Sequence, residues 1–434
     1  MRPPHDPLKA WPGSVGGRLS SEAQKERRPA ARSLNLERRA FLAGALGALA
    51  APALAQQRLP APEATQITRW RGDPYALGSY SFLAKGATPS HRAALATPLG
   101  PLFFAGEATH PDHPATVHGA LLSGQRAAAE IIAAGRYLRI AIIGAGFAGL
   151  GAAKALEAAG ALPEIIEARD RIGGRVHSAD LGNAKIDLGA SWIHGIEDNP
   201  LTDLADITGA QTRVTEWDRV AAFSANGRKR LLPFLPRAAR DVEMSLSYGA
   251  DVGDLSPDAF YEGEEFGGDE VTFPRGYATL LPALLGDYPI ALNRPVMRID
   301  WTRGGGVTLS LRGTRRAYDA CLITVPLGVL QARKIAFSPE LPEDKQEAIA
   351  RLGMGHLSKV FLRFERPFWD ESLHAFAHLG RDPAHFPLWI NIAQTNDAPI
   401  LMAFHGGRAA DALEKRPDAE IVSQAMDVLN TIWA

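Results

Sequence analysis

The sequence is poor in cysteine and has no surplus of either charge. Cys321 is the single cysteine in 434 residues. One thiol excludes an internal disulfide framework, a cysteine-rich zinc site and an iron–sulfur cluster, and we predict no metal site. The 47 Lys and Arg residues are balanced by 48 Asp and Glu residues, for a net charge of −1. Because nucleic-acid binding requires a basic surplus, this balance argues against a nucleic-acid partner.

Long hydrophobic runs are also missing. The weakly apolar residues 43–54 are too few for a membrane span, which needs about 20 residues. They follow Arg38 and Arg39, and residues 53–55 read Ala-Leu-Ala, a small-residue cleavage pattern. These are the parts of a secretory signal, and the arginine pair makes it similar to a twin-arginine signal. We therefore interpret residues 1–55 as a leader that directs export to the periplasm; the alternative is a helix within a disordered leader.

Glycine, by contrast, is abundant, with 42 residues, and some of them form a loop of informative spacing. Residues 138–143 are a short β-branched run, typical of a buried parallel strand. Gly144, Gly146 and Gly149 follow, and residues 150–159 continue as a predicted helix. G-x-G-x-x-G between a strand and a helix is typical of dinucleotide binding. The first glycine makes the turn, the second admits a pyrophosphate and the third lets the helix pack on the sheet.

An acidic residue after the next predicted strand supports the same interpretation. Glu167 follows residues 163–166, and its carboxylate can accept hydrogen bonds from a ribose diol. The positive end of the helix after the loop faces the phosphates of such a ligand. The alternative is a glycine-rich turn without a ligand. The strand, the helix and Glu167 together disfavour that alternative.

The continuation of the chain resembles a known family. Residues 167–175 read Glu-Ala-Arg-Asp-Arg-Ile-Gly-Gly-Arg, and residues 187–195 read Asp-Leu-Gly-Ala-Ser-Trp-Ile-His-Gly. Both segments resemble the flavin-containing amine oxidases, which include monoamine oxidases, polyamine oxidases and lysine-specific histone demethylases. The resemblance covers most of residues 67–434. It implies an α/β fold in which a Rossmann-like FAD-binding domain is joined to an α+β substrate domain with a mixed sheet.

The resemblance implies a set of residues that bind FAD. Glu167 would bind the adenosine ribose, and Arg169 and Arg175 would approach the pyrophosphate and the ribityl chain. Glu107 would bind the ribityl or pyrophosphate side, and the backbone of Val296 would meet the adenine. The complete implied set is Gly106, Glu107, Thr116, Val117, Gly144, Gly146, Gly149, Glu167, Arg169, Arg175, Gly189, Ala190, Ser191, Trp192 and Val296.

The resemblance also implies which residues are catalytic. Lys359 lies in a predicted strand and would reach flavin N5 through a water. Tyr80 would form an aromatic wall beside the flavin, Thr116 would stand opposite it, and Trp70 would pack near the ring. The helix that begins near Thr116 and Val117 would point its positive end at the flavin. The alternatives are a lysine that extends to solvent from a strand edge, and aromatic residues that only fill the core.

The reaction implied by the resemblance is amine oxidation. A hydride passes from the amine α-carbon to flavin N5, the imine hydrolyses, and dioxygen takes the electrons to give hydrogen peroxide. Ser79 stands where monoamine oxidases carry a flavin-bonded cysteine, so we expect non-covalent FAD. The alternatives are an L-amino-acid oxidase, another flavoprotein oxidoreductase of the superfamily, and a non-catalytic or inactive remnant. An amino-acid oxidase needs an arginine for the substrate carboxylate, and Arg275, Arg298 and Arg363 are candidates.

An acidic segment bears on the choice of amine. Residues 251–270 carry eight carboxylates and neither lysine nor arginine. A negative rim of this kind could gather polyamines or other cations. A solvated acidic loop is an equally good interpretation.

The order of the segments differs from the order in the family. Residues 68–124 resemble the block that closes the chain in relatives, yet here they precede the glycine loop. Residues 427–434 resemble the helix that normally leads into that block. We therefore interpret the chain as a circular permutant joined through residues 135–137. The alternative is an artefact that joined two fragments.

The length predicts two domains, because single cores stop growing at about 250–300 residues. The FAD-binding domain would be discontinuous, and the substrate domain would take the rest of the chain after the leader. The predicted ranges are 88–214 and 271–355 for the FAD-binding domain, and 56–87, 215–270 and 356–434 for the substrate domain.

Overall fold

A computed structural model of the chain describes residues 58–230, 237–303, 305–382 and 384–434. The predicted leader and its export signal lie outside the described residues. Within the described ranges, no helix combines the length and the apolar character that a membrane span requires.

The described ranges fold into strands, α-helices and short 3₁₀ helices, which are numbered in chain order. The strands are β1 (Ala64–Ile67), β2 (Ser81–Phe82), β3 (Leu102–Phe104), β4 (Arg139–Ile143), β5 (Leu162–Ile166), β6 (Ser178–Leu181), β7 (Ala184–Asp187), β8 (Arg213–Val214), β9 (Val220–Ser224), β10 (Lys229–Arg230), β11 (Val271–Thr272), β12 (Ile290–Ala291), β13 (Val296–Trp301), β14 (Val307–Leu311), β15 (Thr314–Tyr318), β16 (Ala320–Ile323), β17 (Ala336–Ser338), β18 (Gly353–Met354), β19 (Leu357–Arg363), β20 (Ala375–Leu379), β21 (Leu388–Asn391) and β22 (Ile400–Gly406). The α-helices are α1 (Pro89–Ala96), α2 (Val117–Ala133), α3 (Phe147–Ala158), α4 (Pro200–Thr208), α5 (Arg237–Tyr248), α6 (Leu327–Gln331), α7 (Glu343–Arg351), α8 (Ala393–Asn396), α9 (Gly407–Glu414) and α10 (Asp418–Trp433). The 3₁₀ helices are Glu107–Thr109, Val252–Asp254, Pro257–Tyr261 and Tyr277–Leu284.

A parallel sheet forms the centre of the predicted Rossmann-like unit. Its strand order is β12-β5-β4-β16-β3, and every neighbouring pair is parallel. Along β4, Ile140 and Ile142 face one core while Ala141 and Ile143 face another. This alternation is expected of a parallel sheet that is covered on both faces. The two strands and the helix predicted around the glycine loop are confirmed as β4, β5 and α3.

Two glycines bring α2, α3 and β4 into direct backbone contact. A Cβ on Gly149 would lie 2.0 Å from the carbonyl oxygen of Gly144, and one on Gly124 would lie 2.0 Å from that of Ala148. Side chains at these positions would force the elements apart, so glycine sets the spacing. The helix predicted over residues 117–134 is confirmed as α2, and Thr116 caps it by accepting a hydrogen bond from the Gly119 amide. The amino ends of α2 and α3 therefore lie at the same edge of the sheet.

The predicted mixed sheet is also present. Its order is β1-β19-β22-β21-β20-β9-β10, antiparallel throughout except for the β20–β9 pair. Separate apolar cores cover its two faces; Val360 and Leu362 lie in one and Phe361 in the other. The strand β19 is interior, because β1 and β22 pair with its two sides. A four-stranded sheet, β15-β14-β13-β17, packs on the second face of the parallel sheet.

The two ends of the described chain meet. The Leu59 amide donates a hydrogen bond of 2.9 Å to Asn430 Oδ1 in α10. At the other junction, α2 ends at Ala133 and β4 begins at Arg139, so the connection between them is short. Gly135 has φ +63° within this connection, a conformation that glycine adopts without strain.

Candidate functional site

A large cavity lies between the parallel sheet and the mixed sheet. Its volume is about 1280 Å³, and Ile143, Ile166 and Thr324 line it at the carboxyl ends of β4, β5 and β16. From the mixed sheet, Lys359 of β19 and Phe404 of β22 line the opposite side. Ligands bind at this edge of open parallel sheets, because the loops and helix ends there diverge.

The structure brings nearly all of the predicted site residues to this one cavity. Gly149 is the exception, since it packs beneath the loop rather than facing the cavity. The predicted residues that line the cavity are Trp70, Tyr80, Gly106, Glu107, Thr116, Val117, Gly144, Gly146, Glu167, Arg169, Arg175, Gly189, Ala190, Ser191, Trp192, Val296 and Lys359.

The glycine loop forms a cradle at the floor of the cavity. Gly144 has φ +110°, and a Cβ there would meet Thr324 Oγ1 at 2.7 Å. A Cβ on Gly146 would meet no atom of the described residues within 4 Å, and it would project into open space. A bound group can therefore approach the backbone at Gly146 directly, beside the amino end of α3.

Glu167 ties this cradle to the segment that follows β5. The buried carboxylate accepts a hydrogen bond from the Ala145 amide at 2.7 Å and one from the Arg169 amide at 2.7 Å. Each carboxylate oxygen has two lone pairs, so both oxygens can also accept from a diol in the cavity.

The two predicted phosphate-side arginines are each held by an acid. Arg169 Nη2 donates to Asp73 Oδ1 at 2.8 Å, and its guanidinium lies 5.5 Å from the centroid of the Tyr75 ring. Arg175 Nη1 donates to Glu107 Oε1 at 2.9 Å and to a backbone carbonyl at 2.8 Å. Both residues line the cavity, and their contacts with Asp73 and Glu107 hold them there.

The carboxylate of Glu107 accepts several hydrogen bonds from the protein. Its carboxylate accepts from Ser81 Oγ at 2.6 Å and from the Ala115 amide at 2.9 Å, besides Arg175. Burial favours the neutral acid, but Arg175, the Ser81 hydroxyl and Arg92 outweigh burial and hold the pKa of Glu107 below its usual value. The group is therefore an anion that orients Arg175, and its direct contact with the cofactor stays a prediction.

Lys359 is buried in the centre of the mixed sheet. Its Nζ donates to the carbonyls of Asp187 at 2.9 Å and Gly189 at 2.6 Å, and to Ser191 Oγ at 2.6 Å. Burial lowers the pKa of Lys359 to about 8, and the Asp187 carboxylate opposes this shift. The alternative of a strand-edge lysine in solvent is wrong, because β19 is interior and the amino group is enclosed. Lys359 thus fixes the segment from Asp187 to Ser191 along the cavity wall.

The predicted wall residues are each anchored by a hydrogen bond. Trp70 Nε1 donates to the Leu188 carbonyl at 2.9 Å, and Tyr80 Oη donates to the Leu246 carbonyl at 2.6 Å. Burial raises the pKa of the Tyr80 phenol, so it stays neutral. Trp192 lies with its ring centroid 6.5 Å from that of Trp217, in a stacked arrangement. Hydrogen bonds and ring contacts therefore hold these aromatic side chains in the cavity wall.

The acidic segment divides between structural and cavity-lining carboxylates. Asp251 and Asp254 pair with Arg408, whereas Asp258 and Asp269 are exposed. The remaining members are Glu262, which pairs with Arg92 inside the protein, and Glu264, Glu265 and Glu270, which line the cavity. Both interpretations of the acidic segment therefore apply in part: some of its carboxylates line the cavity, and others are exposed to solvent.

The arginines considered for an amino-acid carboxylate lie elsewhere. Arg298 pairs with Asp300, and Arg363 donates to the Leu181 carbonyl at 3.0 Å. Among the described residues that line the cavity, neither of these nor Arg275 is found.

Several cavity residues were missed by the sequence reasoning. His113 stacks on Phe266 with ring centroids 4.8 Å apart, and His118 meets the same ring edge-on at 5.1 Å. Burial lowers the pKa of His118 to about 2, so it is neutral. Asp112 and Glu243 add carboxylates to the rim. The position of His118 directly after the predicted site residues Thr116 and Val117 could have indicated that it lines the cavity. Its contact with Phe266 could not be predicted, because the two residues are far apart in the sequence.

This geometry is typical of proteins that bind a dinucleotide at the carboxyl ends of the strands of a parallel sheet. A family model described as flavin containing amine oxidoreductase matches residues 30–132, 147–248 and 242–434. The chain belongs to this family, and its cofactor is FAD. The site fits that group, since an open glycine cradle, an acid at the end of β5 and two positioned arginines line one cavity.

The curated relatives fall into two groups. A lysine-specific histone demethylase 1 homolog 3 of Oryza sativa subsp. indica is 32% identical, over 69% of this chain and 44% of that protein. Polyamine oxidase 4 of Oryza sativa subsp. japonica is 29% identical, over 67% of this chain and 72% of that protein. The chain thus spans under half the length of the demethylase homologue it matches.

Solved structures show the same fold. Wild-type putrescine oxidase bound to putrescine aligns with a TM-score of 0.52 at 20% sequence identity. The alignment covers 68% of this chain and 82% of that chain. At this identity the likeness concerns the fold alone.

Proposed function

We propose that this protein oxidises a cationic amine, preferably a diamine or polyamine, with non-covalently bound FAD as the oxidant and dioxygen as the final acceptor. The observation that carries the proposal is the division of charge within one cavity. Arg169 and Arg175 lie near the glycine cradle, because Glu167 binds the amides of both Ala145 and Arg169, and Gly146 forms a bridge with Gly173. The exposed Glu264 and Glu265 and the half-buried Glu270 also line the cavity and form its acidic rim. An anionic cofactor and a cationic substrate would each meet charges of opposite sign.

The residues of the chain bind, orient and exclude water. When bound, FAD supplies the oxidant, a flavin that accepts a hydride from the carbon next to the amine nitrogen. Tyr80 and Trp192 present aromatic surfaces, to which an amine or ammonium group is attracted. Lys359 and Trp70 hold the segment from Asp187 to Ser191 by its carbonyls, so this wall is in place before a ligand arrives.

Non-covalent attachment is supported by the position of the single thiol. Cys321 is buried in β16, whereas Ser79 lines the cavity. Ser79 Oγ donates to the Leu357 carbonyl at 3.0 Å and accepts from the Leu357 amide at 2.9 Å. A hydroxyl bound in this way offers no nucleophile for a bond to the flavin.

The test uses the full chain and two amines of matched length. Purified protein is expected to show an oxidised-flavin spectrum that survives desalting, and to release hydrogen peroxide with cadaverine at a lower KM than with pentylamine. The Glu264→Gln/Glu265→Gln variant should raise the KM for cadaverine about five- to tenfold at low ionic strength, because exposed charges contribute about 0.2–1 kcal/mol each and salt screens them.

The matched control removes two charges from the same segment. Asp258→Asn/Asp269→Asn alters exposed carboxylates that do not line the cavity, so both KM values should remain close to those of the wild type. A colourless protein would contradict the proposal and support an inactive remnant. Oxidation of L-amino acids but not of diamines would support the amino-acid oxidase instead.

We also infer that the chain is a circular permutant of its family. The residues that the resemblance gives to the end of its relatives, 68–124, contribute β3 and α2 to the parallel-sheet unit. The relatives align over 67–69% of this chain, a share close to that of the residues after the α2–β4 connection. The contact between Leu59 and Asn430 brings the ends together. Export by the twin-arginine route is likewise proposed, on the leader sequence alone.

A relinked chain tests the permutation. Opening the chain between α2 and β4, and joining Ala434 to residue 58 through a short Gly-Ser linker, should give a folded protein with the same flavin spectrum. The reason is that permutation is tolerated where termini are close and the new opening lies in an exposed connection. An insoluble or colourless relinked chain, compared with the unrearranged chain prepared alongside, would contradict the inference.

A further inference from the structure

A buried arginine, Arg92, lies next to the cavity wall that contains Glu107 and Arg175, but it does not line the cavity itself. Arg92 belongs to α1, and its side chain is 1% exposed. The guanidinium binds Glu262 through two nitrogens, with Nη2 2.9 Å from Oε2 and Nε on the other oxygen. Nη1 donates to Ser81 Oγ at 2.7 Å and to the Ala108 carbonyl at 3.2 Å. Such a forked contact fixes the orientation of the guanidinium, which a lysine could not reproduce.

The contacts continue from Arg92 to the cavity. The Ser81 hydroxyl accepts from Arg92 and donates to Glu107 Oε2 at 2.6 Å. Glu107 in turn accepts from Arg175 at 2.9 Å. Glu262, Arg92, Glu107 and Arg175 therefore alternate in charge. Of these side chains, Glu107 and Arg175 line the cavity, so the chain of contacts reaches the cofactor side from inside the protein.

We propose that Arg92 is a positioning residue for FAD. By donating to Ser81, it fixes the direction of the hydroxyl that donates to Glu107, and Glu107 then holds Arg175 toward the cavity. Arg175 lines the cavity and uses Nη1 for its hydrogen bonds with described residues, so its other nitrogens can donate to a bound group. Without Arg92, the hydroxyl is free to rotate and Arg175 loses its fixed orientation. The proposal rests on the proposed function only in that FAD is the bound ligand.

The experiment is a double-mutant cycle on FAD affinity, with the full chain stripped of flavin and titrated with FAD by flavin fluorescence. Arg92→Met/Glu262→Gln removes both buried charges together, so that no unpaired carboxylate remains. We expect it to weaken FAD binding about tenfold, equal to about 1.4 kcal/mol. Arg175→Met should weaken binding by a similar or larger factor. In the Arg175→Met background, removing the Arg92–Glu262 pair should cost less than about twofold, because residues that act through one another are not additive.

Two further variants separate positioning from general stability. Ser81→Ala interrupts the contacts while leaving the ion pair intact, and it should also weaken FAD binding, by about three- to tenfold. Lys345→Met removes another buried basic side chain packed against α1, whose Nζ donates to the Leu95 carbonyl at 2.9 Å and does not contact Glu107. It should lower the melting temperature and leave FAD affinity unchanged.

The outcomes are distinct. Equal losses from the Arg92–Glu262 change in both backgrounds, or wild-type affinity in the Ser81→Ala variant, would overturn the positioning role. A wild-type chain that binds no FAD would overturn the proposed function and this role with it. Wild-type binding together with unaffected variants would overturn the role of Arg92 alone.

Discussion

The Gly146→Val variant is expected to fold like the wild type and to lose FAD binding by about a hundredfold or more. Gly146 has φ −81° and ψ −179°, which any residue can adopt, and no described atom lies within 4 Å of a Cβ at this position. The Cβ of valine therefore meets no clash in the protein without cofactor, and we expect folding to lose only about 1 kcal/mol for a poor residue at the helix N-cap. With FAD, the side chain would occupy the cradle, and overpacking of this kind costs about 1–3 kcal/mol or more, besides the lost backbone contacts.

Substitutions at two other glycines serve as controls for the Gly146→Val prediction. Gly253 is exposed and also has open space around a Cβ, so Gly253→Val should change neither unfolding in urea nor FAD titration. At Gly149, a Cβ would lie 2.0 Å from the Gly144 carbonyl oxygen, so Gly149→Val should prevent folding. If Gly146→Val bound FAD with wild-type affinity, the loop would not be the cofactor cradle.

The features that the sequence predicted are those whose physics is local. The strand–glycine–helix segment depends on neighbouring residues: β-branched residues for β4, and glycine where φ is +110° at Gly144. The helix α2 has its cap, Thr116, directly before it. Such features depend on spacing along the chain, and the predicted boundaries lie within a few residues of the observed ones.

The features that escaped prediction depend on contacts between distant segments. Arg92 and Glu262 are both ordinary charged residues in the sequence, and only folding brings α1 beneath the acidic segment. The eight carboxylates of the acidic segment are a similar case, because only the folded structure separates those that pair with an arginine from those that line the cavity or stay exposed. The resemblance assigned Glu107 to the cofactor, and this stays a prediction; its contacts with Ser81 and Arg175 could not be predicted from the sequence. Partner choice follows from three-dimensional packing, which periodicity and spacing do not encode.

The second prediction with a large expected effect concerns the role of Lys359 in turnover. The Lys359→Met variant is expected to retain FAD and to lose turnover by about a hundred- to a thousandfold, comparable to the removal of a single preorganised donor in other active sites. Methionine keeps the length and the apolar stem, but the Asp187 and Gly189 carbonyls and Ser191 Oγ lose their donor. The wall along the cavity then loosens. Stopped-flow reduction by amine and the rate of peroxide release in the steady state measure this effect.

The same variant has a signature in the pH dependence of stability. The pKa of Lys359 is lowered to about 8 by burial, below its ordinary value near 10.4 in an unfolded chain. Between these two values the unfolded state binds more protons than the folded state, so the free energy of unfolding contributed by this group rises with pH. Asp187 acts at lower pH, because burial raises its pKa to about 6, and its contribution falls as pH rises toward that value.

Urea unfolding of the flavin-free protein at pH 7 and at pH 9.5 separates the two groups. The wild type should gain stability relative to Lys359→Met over this interval, because the lowered pKa of Lys359, about 8, lies within it. Lys185→Met, which removes a surface lysine paired with Asp180, should follow the wild type in both stability and turnover. A pH-independent difference between the wild type and Lys359→Met would mean that the buried amine does not titrate in this interval. Turnover within threefold of the wild type would mean that Lys359 has only a structural role, which is to hold the segment from Asp187 to Ser191 in place. The three hydrogen bonds of its amino group would then serve the fold and not the reaction.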